Sequence, residues 1–154
     1  CGLREHVGVG LEKVDGTHAL RVSYELGDTY RLHAGSTGKA ILAHLDPEEQ
    51  DAVIDDVGLP KFTETTITSV GKLKKELAKI RACGYAESEG ESIVGTHGIA
   101  APIFSPSGRI MGSIGVSVPH LRAEEKNRER LIRFVVDAAK KITEGLNAQE
   151  ARES

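Results

Sequence analysis

The chain has 154 residues, of which 39% are hydrophobic and 28% are charged, so its composition predicts one globular domain. Its net charge of −3 argues against DNA binding by these residues alone, because DNA-binding domains present a basic face. No apolar run is long enough for a transmembrane helix, and no signal peptide is evident. The two cysteines, Cys1 and Cys83, form no disulfide framework, which favours the cytoplasm. A start at Cys1 instead of Met suggests a piece of a longer polypeptide.

The first third of the chain alternates apolar and polar residues, which predicts β-strands. Two strands are expected between residues 7 and 26, joined by a turn at Asp15-Gly16. A second turn at Gly27-Asp28 leads to a short strand over 29–33. A small-residue turn then enters a helix over about 37–45, with Ser36 or Thr37 as its N-cap.

Two further helices carry clear start and stop signals. Asp46 and Pro47 are typical of an N-cap and first helical position, and Gly58 ends that helix. Ser69 begins the next helix, and Gly84 ends it. The inward apolar positions predicted for these three helices are Ala40, Ile41, Leu42, Leu45, Val53, Ile54, Val57, Val70, Leu73, Leu77 and Ile80.

The second half predicts a strand over 85–89, then a hairpin of 99–104 and 110–118 around a Ser-Pro-Ser-Gly turn. A long helix follows from near Ala123, and a frayed tail begins near Gln149. The inward-facing residues predicted for this helix are Leu131, Val135, Ala138, Ile142 and Leu146. Strands at both ends with helices between them predict an antiparallel α+β domain over residues 1–148, followed by a flexible tail over 149–154.

The segment from Gly35 to Lys39 looks at first like a phosphate-binding loop. A Walker A loop requires Gly five residues before Gly38 and Ser or Thr after Lys39, but the chain has His33 and Ala40 there. Nucleotide hydrolysis is therefore disfavoured. What remains is a helix N-terminus with exposed amide donors, which suits a small anionic or polar ligand, or else an ordinary capped helix.

The strand over 110–118 has two different faces. One carries Ile114, Val116 and Val118, which are expected core positions. The other is mostly small or polar, including Ser113 and Ser117, and either leaves space for a ligand or is simply half-solvated.

Other polar groups give weaker signals. The acidic run over 87–91 offers either a general acid–base pair or an exposed loop, and His97 could bind a ligand. The six histidines show no metal-ligand spacing, so we predict no metal site, no cofactor and no catalytic residue. The lysines of the third helix are most simply a solvated face.

Taken together, these blocks resemble the IclR family of bacterial transcriptional regulators. The resemblance covers residues from about 7 to 146. The matching segments are Leu32-His33-Ala34, Gly38-Lys39-Ala40, Ile80-Arg81, Gly84-Tyr85-Ala86, Gly95, Ile99-Ala100-Ala101-Pro102-Ile103, Gly112 to Pro119 and the closing helix.

The resemblance implies a curved antiparallel sheet of GAF/PAS type, flanked by helices, with an effector pocket on its concave face. It also implies that the family's N-terminal winged helix-turn-helix, which reads operator DNA, is absent from this chain. The effector would be a small organic molecule such as a carboxylate or an aromatic catabolite, and the protein a homodimer or homotetramer. The implied binding residues are Val22, Tyr30, Ser36, Thr37, Ser88, Thr96, Gly98, Gly115 and Ser117.

Three departures from the family pattern affect the implied pocket. Ser88 stands where relatives often have Asp, and Gly98 and Gly115 stand where they often have Cys or Ser. Fewer polar groups and more space would favour a larger or less charged effector. Two alternatives are a ligand-free module that oligomerises through the last helix, and a small hydrolase or isomerase using Glu87, Glu89 and His97.

Overall fold

The computed structural model describes residues 1–17 and 25–153, with the backbone alone at 153. Six antiparallel strands form one sheet in the order β3-β2-β1-β6-β5-β4. The strands are β1 (Gly2–Arg4), β2 (Val7–Val9), β3 (Thr29–Arg31), β4 (Ala86–Glu89), β5 (Thr96–Phe104) and β6 (Ile110–Pro119). The helices are α1 (Ser36–Leu42), α2 (Pro47–Val57), α3 (Val70–Cys83) and α4 (Glu125–Glu153), with a 3-10 turn at His120–Arg122.

The hairpin of β5 and β6 is the centre of the sheet, and its register separates two faces. Gly98 pairs with Ser117 and Ala100 with Gly115, while β4 places Ser88 opposite Gly98. Paired residues in a sheet share one face, so all of these lie on the side that α1 covers. The intervening residues, including Ile99, lie on the opposite side.

Each face buries a separate apolar cluster. On the α1 side, α1, α2 and α3 bury residues such as Leu42, Ile54 and Leu73. On the other side, α4 packs Val135 and Ala139 against Ile99 and Ala101. The sheet is therefore covered by helices on both sides, as an α+β domain requires.

The caps of α2 and α3 confirm the boundaries predicted from the sequence. Asp46 precedes Pro47 at the start of α2, and Glu49 Oε2 accepts a hydrogen bond from the Asp46 amide at 3.3 Å. Ser69 Oγ accepts from the Lys72 amide at 3.5 Å, and Gly84 ends α3 with φ of 84°. Only Val70 among the predicted inward residues of these helices is wrong, because it is 48% exposed.

The N-terminal strands differ from the prediction. β1 is a strand that the alternation pattern does not predict, since it has only three residues, Gly-Leu-Arg. Asp15 and Gly16 lie in irregular backbone instead of a tight hairpin, and β2 pairs directly with β3. Residues 18–24, which hold most of the predicted second strand, lie outside the described residues.

The long helix α4 also corrects the prediction. Its buried line runs through Val135 and Ala139, whereas Ile142 is 39% exposed. On the next turn of the helix, Thr143 Oγ1 accepts a hydrogen bond from the Phe104 amide at 3.2 Å, so the contact with the sheet there is polar. Helical backbone continues to Glu153, past the predicted frayed tail from Gln149. None of the helices in the described ranges is long and apolar enough to span a membrane.

Candidate functional site

Three of the predicted binding residues converge at one point between α1 and the sheet. A β-carbon on Gly98 would lie 2.6 Å from Ser36 Oγ and 2.8 Å from Ser88 Oγ. Ser88 Oγ also accepts a hydrogen bond from the Ser36 amide at 3.0 Å. Two hydroxyls from different elements thus meet over a strand position that has no side chain.

Ser117, Gly115 and Thr37 extend this group along the β5–β6 hairpin. Ser117 is the direct neighbour of Gly98 across the sheet. A β-carbon on Gly115 would lie 3.0 Å from Thr37 Cγ2, so α1 approaches the sheet closely there. Gly115 is nevertheless exposed and Ser117 half-buried, which leaves this end of the group open to solvent.

The remaining predicted residues lie apart from this group or cannot be placed. Thr96 begins β5 on the same face as Gly98, but its hydroxyl donates to Ile93 O at 2.7 Å. Tyr30 lies on β3, at the opposite edge of the sheet from Ser88, with its hydroxyl 3.1 Å from a β-carbon on Gly10. Val22 falls outside the described residues.

The first turn of α1 does not begin as the sequence predicts. Its N-cap is Gly35, with φ of 94° and no side-chain capping hydrogen bond, so neither Ser36 nor Thr37 is the cap. The Gly35 amide donates to Glu91 Oε2 at 3.0 Å, and the Ser36 amide donates to Ser88. Two of the donors expected to face a ligand therefore already have acceptors within the chain.

Two residues of this region, Lys39 and Glu91, were missed as partners by sequence reasoning. The Lys39 side chain is 1% exposed, and its Nζ lies 2.6 Å from Glu91 Oε1 and 3.3 Å from Glu76 Oε1. Glu91 is buried as well, although it belongs to the run that reads as acidic loop. The available signal was a lysine flanked by buried apolar residues of one helix, since a buried ammonium requires a countercharge.

The extra space expected at the two glycines is not present. Ser36 and Ser88 fill the space above Gly98, and Thr37 lies against Gly115. Two clefts of the described residues lie elsewhere. One of about 410 Å³ is bounded by the β1–β2 turn and α2, including His6 and Asp56, and one of about 350 Å³ lies on α4 at Phe134.

His33 lies just before this site and has an unusual environment. It is 2% exposed, its Nε2 donates to Pro60 O at 2.9 Å, and its ring stacks on Phe62. Burial lowers the pKa of His33 below 6.5, and the hydrogen bond to Pro60 and the charge of Glu91 oppose that shift only in part. The imidazole is therefore neutral near pH 7 and holds the α1 entry against the loop after α2.

The acidic residues considered for catalysis face α4, on the other side of the sheet from Ser36. Glu87 Oε2 accepts from Arg128 at 2.8 Å, and Glu89 Oε1 lies 3.0 Å from His120 Nδ1. His97 Nε2 is 3.9 Å from Glu87 Oε1, too long for a direct hydrogen bond. Across the described ranges, no group of three or more His, Cys, Asp or Glu side chains is placed to hold a metal ion.

A curled six-stranded antiparallel sheet with helices on both faces is the architecture of GAF-like sensor domains, and this chain has it. The family model described as the bacterial transcriptional regulator IclR C-terminal domain matches residues 3–144. The chain belongs to this family, as an effector-binding domain, which makes it part of a regulator and not an enzyme. The family's DNA-binding domain is not among these residues.

Individual relatives agree with this assignment. The HTH-type transcriptional regulator BhcR of Paracoccus denitrificans is 33% identical over 136 residues, which are 88% of this chain and 49% of BhcR. The chain spans about half the length of the curated relatives that it matches.

Two solved structures show the same fold. The IclR regulator of Thermotoga maritima superposes with a TM-score of 0.90 at 29% identity, covering 95% of this chain and 59% of that one. The inducer-binding domain of PobR from Acinetobacter, a double mutant in complex with 3-hydroxybenzoic acid, has a TM-score of 0.80 at 26% identity and covers 92% and 84%.

Proposed function

We propose that this domain senses a small organic effector, a carboxylate or an aromatic catabolite, and that effector binding modulates operator binding by a winged helix-turn-helix elsewhere in the regulator. The site is the group around Gly98, with Tyr30 and Val22 as apolar wall residues. We place the regulator in the cytoplasm, where its operator would be. The proposed binding residues are Val22, Tyr30, Ser36, Thr37, Ser88, Thr96, Gly98, Gly115 and Ser117.

The observation that carries the proposal is the convergence of Ser36 and Ser88 over Gly98, next to Ser117. These hydroxyls come from α1, β4 and β6, three elements that are far apart in the chain. Hydroxyls both donate and accept hydrogen bonds, so such a group suits oxygen-rich ligands beside apolar surface. The PobR domain, which has this fold, is described with a hydroxybenzoic acid bound.

Modulation of operator binding requires that the effector bind two arrangements of the regulator with different affinity. A coupling of about 1–3 kcal/mol, or roughly 5–150-fold in operator affinity, is typical of allosteric proteins. The arrangements would be those of a homodimer or homotetramer, because symmetric oligomers position paired DNA-binding domains.

An association surface on α4 supports the oligomer. Phe134 is 67% exposed beside the cleft that Leu131 and Arg130 line, and Leu121 is 84% exposed on the preceding 3-10 turn. Exposed aromatic and aliphatic side chains next to a concavity are typical of protein interfaces. We expect Phe134→Ser to lower the sedimentation coefficient of the oligomer at equal concentration, whereas the variant Arg133→Ser on the same helix keeps it unchanged.

The experiment that tests effector binding is a thermal-stability screen against small carboxylates, aromatic acids and sugar acids. A ligand at about 100 times its Kd should stabilise the domain by about 2.7 kcal/mol. The stabilisation should saturate, and it should disappear in Ser117→Leu but persist in Ser107→Leu, a matched change in the exposed turn between β5 and β6. Stabilisation that survives in Ser117→Leu would place the ligand elsewhere. No stabilisation by any compound would favour the ligand-free oligomerisation module.

A further inference from the structure

The segment joining β4 to β5 passes along the effector site and is held by polar contacts. Its base is closed by a hydrogen bond from the Gly90 amide to Thr96 O at 2.8 Å. Gly90 and Gly95 at its two ends have φ of 64° and 78°, backbone conformations that favour glycine. Residues 91–95 therefore form a short loop bounded by two glycines, between the strands that carry Ser88 and Gly98.

One buried ion pair ties this loop to α1. Glu91 Oε1 lies 2.6 Å from Lys39 Nζ, and Glu91 Oε2 accepts from the Gly35 amide at 3.0 Å. Ser92 Oγ is 3.4 Å from the position of a β-carbon on Gly35, so the loop lies directly beside the residue before Ser36. Ser36, next to these contacts, is a buried residue with 5% exposure.

A second set of contacts joins the end of β4 and the start of the loop to residues 61–67. Thr66 Oγ1 donates to Glu91 O at 2.6 Å, and Thr65 Oγ1 donates to Glu89 O at 2.8 Å. By contrast, the apolar residues of the loop, Ile93 and Val94, are 42% and 79% exposed. Since little apolar area is buried, the loop's position depends on Glu91 and the threonine hydroxyls, and loss of these contacts should favour local opening.

We propose that residues 91–95 form a gate over the Ser36 side of the effector site, and that Glu91 is its latch through Lys39 and Gly35. Opening the gate breaks the Glu91 contacts, admits the effector to Ser36 and frees the Gly35 amide. Because Lys39 also contacts Glu76, opening changes the charge balance at α3, which gives the site a direct physical connection to that helix. The role of this motion in effector entry rests on the proposed function, but the motion itself can be measured without an effector.

The test measures access to Ser36 with a cysteine reporter. In a background with Cys1→Ser and Cys83→Ser, Ser36→Cys is reacted with iodoacetamide, a small neutral reagent, and rates are compared at the plateau above the thiol pKa. Glu91→Gln should raise the modification rate by about tenfold or more, because the latch is lost while the side-chain shape is kept. Glu76→Gln, which removes the other carboxylate near Lys39 but not the contact to Gly35, should change it by less than about twofold.

A second reporter separates gate opening from general loosening. Ser113→Cys places a thiol on β6 beneath α1, at a residue that is 1% exposed, and its reaction requires α1 to leave the sheet. Its rate should rise much less than that of the Ser36→Cys reporter in Glu91→Gln. Equal acceleration of both reporters would show general unfolding and overturn the gate.

A charge-neutral variant keeps the inference testable if Glu91→Gln does not fold. Thr66→Val removes the hydroxyl that donates to Glu91 O and should also accelerate modification of Ser36→Cys. A rate unchanged within about twofold in the folded variants would overturn the gate. That result would not bear on effector binding, because the thermal screen tests binding by itself. If instead the screen finds no ligand but the reporter is accelerated, the gate stands and only the proposed effector binding is refuted.

Discussion

Ser36 occupies the space that a side chain at position 98 would need. A β-carbon on Gly98 would lie 2.6 Å from Ser36 Oγ, closer than carbon and oxygen normally approach. The absence of a side chain at this strand position is therefore what allows α1 to rest on the sheet with the Ser36 amide donating to Ser88 Oγ. Glycine here serves packing of the site, because a side chain at this position would require the Ser36 and Ser88 hydroxyls to move.

This relationship predicts the effect of adding one methyl group. Gly98→Ala should reduce the free energy of unfolding by about 1–3 kcal/mol, because the new methyl overpacks against both Ser36 and Ser88. Urea denaturation measures the change. The control is Gly71→Ala in α3, where a β-carbon meets nothing within 4 Å, and which should be neutral or stabilising by up to about 1 kcal/mol. Equal stability of Gly98→Ala and the parent chain would contradict the packing.

The buried ion pair predicts a large loss of stability when its cation is removed. Lys39→Met should cost about 3–5 kcal/mol, because Glu91 then remains buried without its countercharge. The matched control is Lys61→Met, whose partner Glu64 lies 2.8 Å away on the surface with 92% of its side chain exposed. That change should cost less than about 1 kcal/mol. Similar unfolding midpoints in denaturant for the two variants would show that Lys39 is not paired as described.

Two histidines with lowered pKa values, His33 and His44, predict a dependence of stability on pH. Burial lowers the pKa of both His33 and His44 below 6.5 in the folded state. Below pH 6.5 the unfolded chain therefore binds more protons than the folded chain, so stability falls as the pH decreases through this range toward the folded pKa values. Thermal unfolding at about pH 7.5 and pH 5.5 measures this decrease.

His33→Gln supplies the control for that pH dependence. The glutamine amide can still donate to Pro60 O but does not titrate. The loss of stability on acidification should be smaller in this variant than in the parent chain. An identical loss in both chains would assign the pH dependence to other groups.

The contact between Glu87 and Arg128 predicts how firmly α4 is held to the edge of the sheet. Arg128→Met should reduce the free energy of unfolding by about 1–3 kcal/mol, since it removes a charge-assisted hydrogen bond at 2.8 Å to a partly buried carboxylate. Arg133→Met, on an exposed position of the same helix, is the matched control and should have little effect. A loss of equal size in both variants would point to helix propensity and away from the Glu87 contact.

The helical half of the fold is well predicted from sequence because its signals are local. Asp46 with Pro47 and Ser69 with Gly84 mark helix ends through contacts within a few residues, and the structure confirms them. The strand β1 has no such signal, because its pairing with β2 and β6 is decided by distant residues. Ile142 was wrong for a similar reason, since the contact between α4 and β5 at that turn is made by Thr143, which accepts a hydrogen bond from the distant Phe104 amide.

The candidate site likewise contains residues that the sequence predicts and contacts that it does not. The resemblance to the family points to Ser36, Ser88, Gly98 and Ser117, and the structure brings these residues together. The partnership of Lys39 with Glu91 joins residues 52 apart in sequence. No local pattern in the acidic run distinguishes the buried Glu91 from its exposed neighbour Glu89, because burial there depends on how the loop packs on α1.

The most direct test of an effector site at Gly98 is an NMR titration of the 15N-labelled domain with the compound that raises its unfolding temperature most. We expect the largest saturable amide shifts at Ser36, Ser88, Gly98 and Ser117, with smaller shifts in the gate. Shifts concentrated around His6 and Asp56, at the 410 Å³ cleft beside α2, would contradict the account and move the effector site there.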